Sequence, residues 1–238
     1  MNFQEYLGDA AGQYGVVLTD KMLRQFDAYF QLLVEWNEKI NLTAITEPKE
    51  VAIKHMVDSL SCWNDRYFPP GASVIDVGTG AGFPGIPLKL FRPDIRLTLL
   101  DSLNKRIKFL QEVTDKLGLD NVECVHLRAE EGARQPHLRE KFDVAVSRAV
   151  ARLSVLAEYC MPFVKVNGYF VALKGMKYAE EMAEGANAVK VLGGSSIKSV
   201  PVRLPYIDDK RAVLYIRKVR ATSKAYPRKA GTPDKNPL

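Results

Sequence analysis

With 238 residues, 47% of them hydrophobic, the chain suits one large domain with an appendage and supports a full core. Lys and Arg number 34 against 28 Asp and Glu, for a net charge of +6. No apolar run reaches membrane length, and the polar start Met1-Asn-Phe-Gln-Glu lacks signal-peptide character, so the expectation is a cytoplasmic protein that neither spans a membrane nor is secreted. Cys62, Cys124 and Cys160 are far apart in apolar settings and read as reduced core residues, and three scattered histidines suggest no metal cluster.

The excess charge is at one end. Arg217, Lys218, Arg220, Lys224, Arg228, Lys229 and Lys235 face only Asp234, which leaves the rest of the chain neutral. Such a tail is either a nucleic-acid contact or a solubilising end, and charge alone leaves both open.

Residues 2–14 read as a short amphipathic helix, with Phe3, Tyr6, Leu7, Ala10 and Tyr14 on one face and Gly15 as its stop. Thr19 or Asp20 caps a longer one, whose Leu23, Phe26, Phe30, Leu33 and Ile40 recur at three- and four-residue spacing until Asn41-Leu-Thr43. Trp36 and Phe30 read as core residues, not base-stacking platforms. A third helix starts near Thr46-Glu-Pro48 and puts His55, Asp58, Ser59 and Cys62 on one stripe. His55 with Asp58 resembles an acid–base pair, but the plainer reading is a histidine tying this helical cap to the core. Residues 1–66 are thus a helical extension that caps a crevice or packs on a sheet.

A core of residues 67–220 follows. Val74, Ile75 and Val77, interrupted only by Asp76, read as a buried parallel strand. Gly78, Gly80 and Gly82 come next, and Pro84-Gly-Ile86 opens a helix. Strand, glycine turn and helix start make the nucleotide crevice of a doubly wound α/β sheet. Gly80-Ala-Gly82-Phe-Pro-Gly85 fits the dinucleotide pattern, which alone is weak. Pro84 and Pro87 remove backbone donors that a pyrophosphate needs, and no Lys-Ser/Thr pair completes a triphosphate loop. Asp76 puts a carboxylate beside the ligand, unsuited to phosphate and suited to an ammonium group. S-adenosylmethionine has adenosine, a zwitterionic amino acid and a sulfonium, and no phosphate. Asp-x-Gly-x-Gly-x-Gly also resembles the first motif of class I methyltransferases.

Arg96–Asp101 is a second strand, and Asp101 lies where an acid end-caps a ribose. Asn104–Gly118 is a helix and Val122–Leu127 a third strand. Arg128-Ala-Glu-Glu131 then stands where an adenine edge meets a backbone N–H and a carboxylate; Glu130 and Glu131 equally suit a plain helix first turn. Phe142–Ser147 is a fourth strand with Arg148 at its carboxyl tip, the end that faces a ligand. Arg152–Pro162 is a helix, Gly168–Leu173 a fifth strand ending in Lys174, and Met176–Leu192 another helix. Ile197–Leu204 and Ala212–Val219 form an antiparallel hairpin around Asp208-Asp209. Residues 221–238 read as a basic, irregular tail.

Leu33-Val-Glu-Trp-Asn-Glu-Lys-Ile-Asn-Leu-Thr43, His55-Met-Val-Asp-Ser59, Asp76–Gly85, Asp101-Ser-Leu-Asn-Lys-Arg106, Ser147-Arg-Ala-Val-Ala151 and Tyr226-Pro-Arg-Lys-Ala-Gly-Thr-Pro233 can be read together. In these stretches the chain closely resembles the bacterial small-subunit ribosomal RNA 7-methylguanosine methyltransferases, once named glucose-inhibited division protein B. The resemblance implies a class I, Rossmann-like seven-stranded sheet, mainly parallel with an antiparallel last hairpin. It also implies S-adenosylmethionine as cofactor and methylation of one guanine N7 in 16S ribosomal RNA, free or in the 30S subunit. It carries cofactor contacts to Gly78, Phe83, Ala129, Glu130 and Arg148, Phe83 from the family alone; the residue reading adds Asp76, Gly80 and Asp101. Guanine N7 has a lone pair and no proton, so no catalytic base is assigned; Arg148 and Lys174 are expected to position. A monomer without membrane or metal partners is expected. Rival readings are a methyltransferase for another RNA or a small molecule, and a non-catalytic RNA-binding protein on the same fold.

Overall fold

The structure, a computed structural model, describes residues 1–238. Helix α1 (Phe3–Tyr14) starts on a reciprocal cap: Glu5 N–H donates to Asn2 Oδ1 at 3.0 Å, and Asn2 N–H donates to Glu5 Oε2 at 2.8 Å. It ends on left-handed Gly15, as α2 (Asp20–Ile40), capped by Thr19, ends on left-handed Asn41. The third helix is not uniform. Helix α3 (Pro48–Val51) passes through a π-helical turn, Ala52–Val57, into α4 (Asp58–Leu60). Inserted turns of this kind recur at functional sites.

Seven strands follow: β1 (Ser73–Val77), β2 (Arg96–Asp101), β3 (Val122–His126), β4 (Phe142–Arg148), β5 (Val164–Lys174), β6 (Lys198–Val202) and β7 (Arg211–Arg217). Their order is β3-β2-β1-β4-β5-β7-β6. The first five are parallel, and β7 runs antiparallel to both its neighbours, so the predicted mainly parallel sheet with an antiparallel hairpin is what forms. Strand β5 begins at Val164, ahead of the predicted Gly168, because Val164 pairs with Phe142 before a bulge resets the register to Val144 against Tyr169. The other helices are α5 (Gly85–Phe91), α6 (Asn104–Leu117), α7 (Ala129–Gly132), α8 (Leu153–Cys160), α9 (Tyr178–Val191) and α10 (Thr232–Lys235).

Alternation along β1 sends Val74 to one face of the sheet and Ile75 and Val77 to the other. On the first face Leu7, Phe26, Tyr29, Leu33 and Met56 pack with Val74, Leu97, Leu99 and Val144. On the second, Leu156, Phe163 and Val189 pack with Ile75, Leu100 and Ala145. Each such large side chain contributes roughly 1.5–3 kcal/mol by leaving water. Residues 1–66 therefore share the sheet's core. Beyond 220, α10 is the only regular element, yet the tail is fastened to the body. Arg139 donates to the Thr222 and Tyr226 carbonyls, both at 2.9 Å, and Pro227 and Pro233 are buried.

The chain order reverses between β1 and β4, and a crevice opens beyond the carboxyl ends of these strands.

Candidate active site

The crevice has a volume of about 430 Å³. Its floor is the loop after β1, where Gly78, Gly80 and Gly82 all hold positive φ, at 70°, 61° and 98°. At Gly80 the space a Cβ would take is open, whereas a Cβ on Gly82 would come 2.7 Å from Ile86 Cγ1. Nearly every amide of the loop is used internally. Gly78 and Thr79 N–H donate to the Leu100 carbonyl, Gly82 and Phe83 N–H to the Thr79 carbonyl, and Gly80 N–H to Asp101 Oδ2 at 2.9 Å. Gly85 N–H donates to Asp76 Oδ2 at 2.8 Å. A phosphate nest needs these donors free.

Asp101 lines the crevice at the tip of β2. Its Oδ1 accepts from Leu103 N–H at 2.9 Å, and its Oδ2 also takes Arg106 Nη1 at 3.3 Å. Across from it, Ala129 and Glu130 open α7, whose first N–H groups have no helical partner. Glu130 Oε1 accepts from Gly231 N–H at 2.9 Å. Tyr159 of α8 completes this wall, and burial, with the Glu130 carboxylate, pushes its phenol up to about 12.

The roof comes from the N-terminal helices. Phe83 stacks on His55 with ring centroids 4.6 Å apart, and the Arg148 guanidinium lies 4.8 Å from the Phe83 centroid. Arg148 Nη1 donates to the Lys54 carbonyl and to Asp58 Oδ2, both at 2.9 Å, and Nη2 lies 3.2 Å from His55 Nδ1. His55 Nε2 meets Thr43 Oγ1 at 2.8 Å. Burial, then the Arg148 charge, drives the His55 pKa down to about 3, so the ring is neutral at physiological pH. His55 and Asp58 thus tie the helical extension to the tip of β4, the plainer of the two readings.

Seven predicted site residues line the crevice: Gly78, Gly80, Phe83, Asp101, Ala129, Glu130 and Arg148. Two predicted residues stand outside this wall. Asp76 is wholly buried beneath the loop, where Oδ2 accepts from Thr79 Oγ1 at 2.7 Å and from Gly85, and Oδ1 has no partner. There it braces the floor, and burial raises its pKa to about 7. Lys174 is not in this wall either. Its Nζ donates to the Ala151 carbonyl at 2.6 Å and pairs with Glu181 at 2.7 Å, because a buried ammonium must be compensated. It lines an adjoining cavity of about 580 Å³ that shares His55, Arg148, Ala149 and Val150 with the crevice and adds Asp58, Glu181 and Arg211. Sequence reasoning missed Tyr159, Arg106 and Thr79 as wall residues; Thr79, inside the glycine motif, and Arg106, at the end of Asp101-Ser-Leu-Asn-Lys-Arg106, carried a local signal, and Tyr159 did not.

No group of three or more His, Cys, Asp or Glu side chains is disposed to hold a metal ion, and no helix is long and apolar enough to cross a membrane. The donor set offers carboxylates, aromatic and apolar walls and no free phosphate cradle, which fits an adenosyl amino acid better than a dinucleotide.

Comparison with known proteins gives the same direction. The family model described as rRNA small subunit methyltransferase G (GidB) matches residues 22–204. The chain is 52% identical over 232 residues to the ribosomal RNA small subunit methyltransferase G of Desulforamulus reducens, covering 98% of this chain and 97% of that one. It is 50% identical over 238 residues to the protein of that name from Alkaliphilus metalliredigens, covering all of both. Among solved structures, precorrin-6y C5,15-methyltransferase from Geobacter metallireducens aligns with a TM-score of 0.51 at 15% identity, over 75% of this chain and 93% of that one. TYW2 from P. horikoshii, in complex with MeSAdo, aligns with a TM-score of 0.54 at 13% identity, over 68% and 62%. At such identities these two establish a shared fold alone.

Proposed function

The chain belongs to the rRNA small subunit methyltransferase G family, and from that premise we propose that it methylates N7 of one guanine in 16S ribosomal RNA. It is an S-adenosylmethionine-dependent methyltransferase. The observation that supports the cofactor reading most is the glycine loop, whose amides are nearly all consumed by Leu100, Thr79, Asp101 and Asp76 and leave no cradle for phosphate. Asp101 is assigned to the ribose hydroxyls, and Ala129 with Glu130 to the adenine edge. Gly78, Gly80 and Phe83 form apolar walls that exclude water, and Asp76 supports the floor. When bound, the cofactor supplies a sulfonium methyl, an electrophile that requires only a lone pair in line with it.

Guanine N7 offers that lone pair and carries no proton, so no residue is assigned as a base. The neutral His55, held by Thr43 and Arg148, is a strut in this scheme. The work left to the protein is placement and exclusion of water, worth at best about 7–11 kcal/mol. The target base is proposed to enter through the adjoining cavity, which shares His55, Arg148, Ala149 and Val150 with the crevice. Arg148, anchored between the two cavities, orients the RNA, and Lys174, paired with Glu181, fixes the shape of the adjoining cavity. The partner is 16S ribosomal RNA, free or in the 30S subunit, met by a monomer in the cytoplasm.

Calorimetry and methyl transfer test this. S-adenosylhomocysteine should bind and NAD should not, and label from the cofactor should enter 16S ribosomal RNA as 7-methylguanosine. Tight NAD binding with no response to S-adenosylhomocysteine contradicts the cofactor reading. Label recovered only in small molecules contradicts the substrate.

A further inference from the structure

The Tyr226–Pro233 stretch is one of the motifs that carry the family resemblance, and neither cofactor nor base chemistry has used it. Its contacts converge on one wall. The Arg228 guanidinium forks onto Glu158, with Nε 3.0 Å from Oε1 and Nη2 2.7 Å from Oε2, and the Arg228 amide N–H adds a bond to Oε1 at 2.7 Å. Glu158 is fully buried, and all its side-chain hydrogen bonds come from Arg228. Three residues further on, Gly231 N–H holds Glu130 Oε1 at 2.9 Å. Glu130 and Tyr159, the neighbour of Glu158 on α8, both line the crevice. The tail thus braces the adenine side from behind, across sequence separations of 70 and 101 residues. Its own root is held by Arg139 and by Thr222 N–H, which donates to Glu140 Oε1 at 2.8 Å.

We propose that residues 228–231 form a clasp that preorganises the cofactor wall, with Arg228 a positioning residue that acts through Glu158 on Tyr159 while Gly231 aims Glu130. The proposal rests on the reading of the crevice as a cofactor site. A carboxylate with one oxygen held presents its other oxygen in a fixed direction, which lowers the ordering cost when a ligand binds. Removing Arg228 leaves a buried carboxylate without its cation; Glu158 must then take up a proton or admit water, and the shift of α8 that accompanies either carries Tyr159 with it. By linkage, a ligand that prefers the clasped wall must in turn tighten the clasp.

Full-length Arg228→Ala and Arg228→Lys can be compared with the parent by calorimetry with S-adenosylhomocysteine and by steady-state methyl transfer. In Arg228→Ala the Kd should rise about tenfold or more, inside the roughly 5–150-fold range of coupled sites. KM for the cofactor should rise in step while kcat changes far less. Arg228→Lys should recover part of the loss, because an ammonium keeps the charge but not the fork. In the parent, where no variant has to fold, S-adenosylhomocysteine should slow hydrogen exchange across residues 226–233. A folded Arg228→Ala with the parental Kd, or exchange there unmoved by the ligand, overturns the clasp. A parent that binds no S-adenosylhomocysteine overturns instead the cofactor reading beneath it.

Discussion

Gly80→Ala separates ligand contact from fold. Gly80 has a φ of 61°, and a Cβ there would meet no protein atom within 4 Å. The fold loses only the left-handed backbone preference, about 1–2 kcal/mol. For a chain of this size that lowers Tm by roughly 2–8 °C. The open space, however, is crevice. Gly82 is the contrast: a Cβ there would lie 2.9 Å from the Tyr29 hydroxyl and 3.0 Å from Leu110 Cδ2, so Gly82→Ala adds overpacking of about 1–3 kcal/mol. Thermal unfolding with and without S-adenosylhomocysteine reads both effects. Ligand at 100 times Kd should stabilise the parent by about 2.7 kcal/mol. In Gly80→Ala a tenfold weaker Kd removes about 1.4 kcal/mol of that gain, in addition to the backbone cost to the unliganded protein. In Gly82→Ala the unliganded protein should suffer most. A Gly80→Ala protein that keeps the full ligand-induced gain would refute the placement of the ligand against this loop.

Asp58→Ala strips the carboxylate that Arg148 and Arg211 share at 2.9 and 2.8 Å, and should cost about 3–5 kcal/mol in urea unfolding and most of the methyl transfer; parental stability and activity would remove this knot from the account. His55, at about 3 in the fold against 6.5 in the unfolded chain, contributes stability that is full above pH 6.5 and lost as pH falls toward 3. Its ring signals in NMR should therefore stay neutral from pH 7.5 to pH 5, and a titration near pH 6.5 contradicts that. The exposed pair Lys224 and Lys229 test RNA attraction by the tail: replacing both with Gln should flatten the log–log salt dependence of RNA binding by roughly 0.7–0.9 for each phosphate no longer neutralised. An unchanged slope would leave the tail as a clasp alone.

Much of the sheet is legible in the sequence because buried parallel strands are short apolar runs with turn residues at their ends; the bounds of Arg96–Asp101 agree to the residue. The crevice rule then locates Gly78, Asp101, Ala129, Glu130 and Arg148 from their places at strand tips. What periodicity cannot supply is a partner. Asp76 reads as facing a ligand because its acceptor role toward Gly85 depends on how the loop folds back over nine residues. Lys174 reads as free because Glu181 and the Ala151 carbonyl reach it only once α9 docks. The tail reads by composition as irregular and basic. Its Arg228 charge is instead spent on Glu158, a contact between residues 70 apart that no local pattern encodes.

The most direct test of the central claim is mass spectrometry of 16S ribosomal RNA from cells with and without the gene. Loss of a single 7-methylguanosine in the deletion, restored by the parent gene, is the predicted result. Identical modification maps with and without the gene would contradict it.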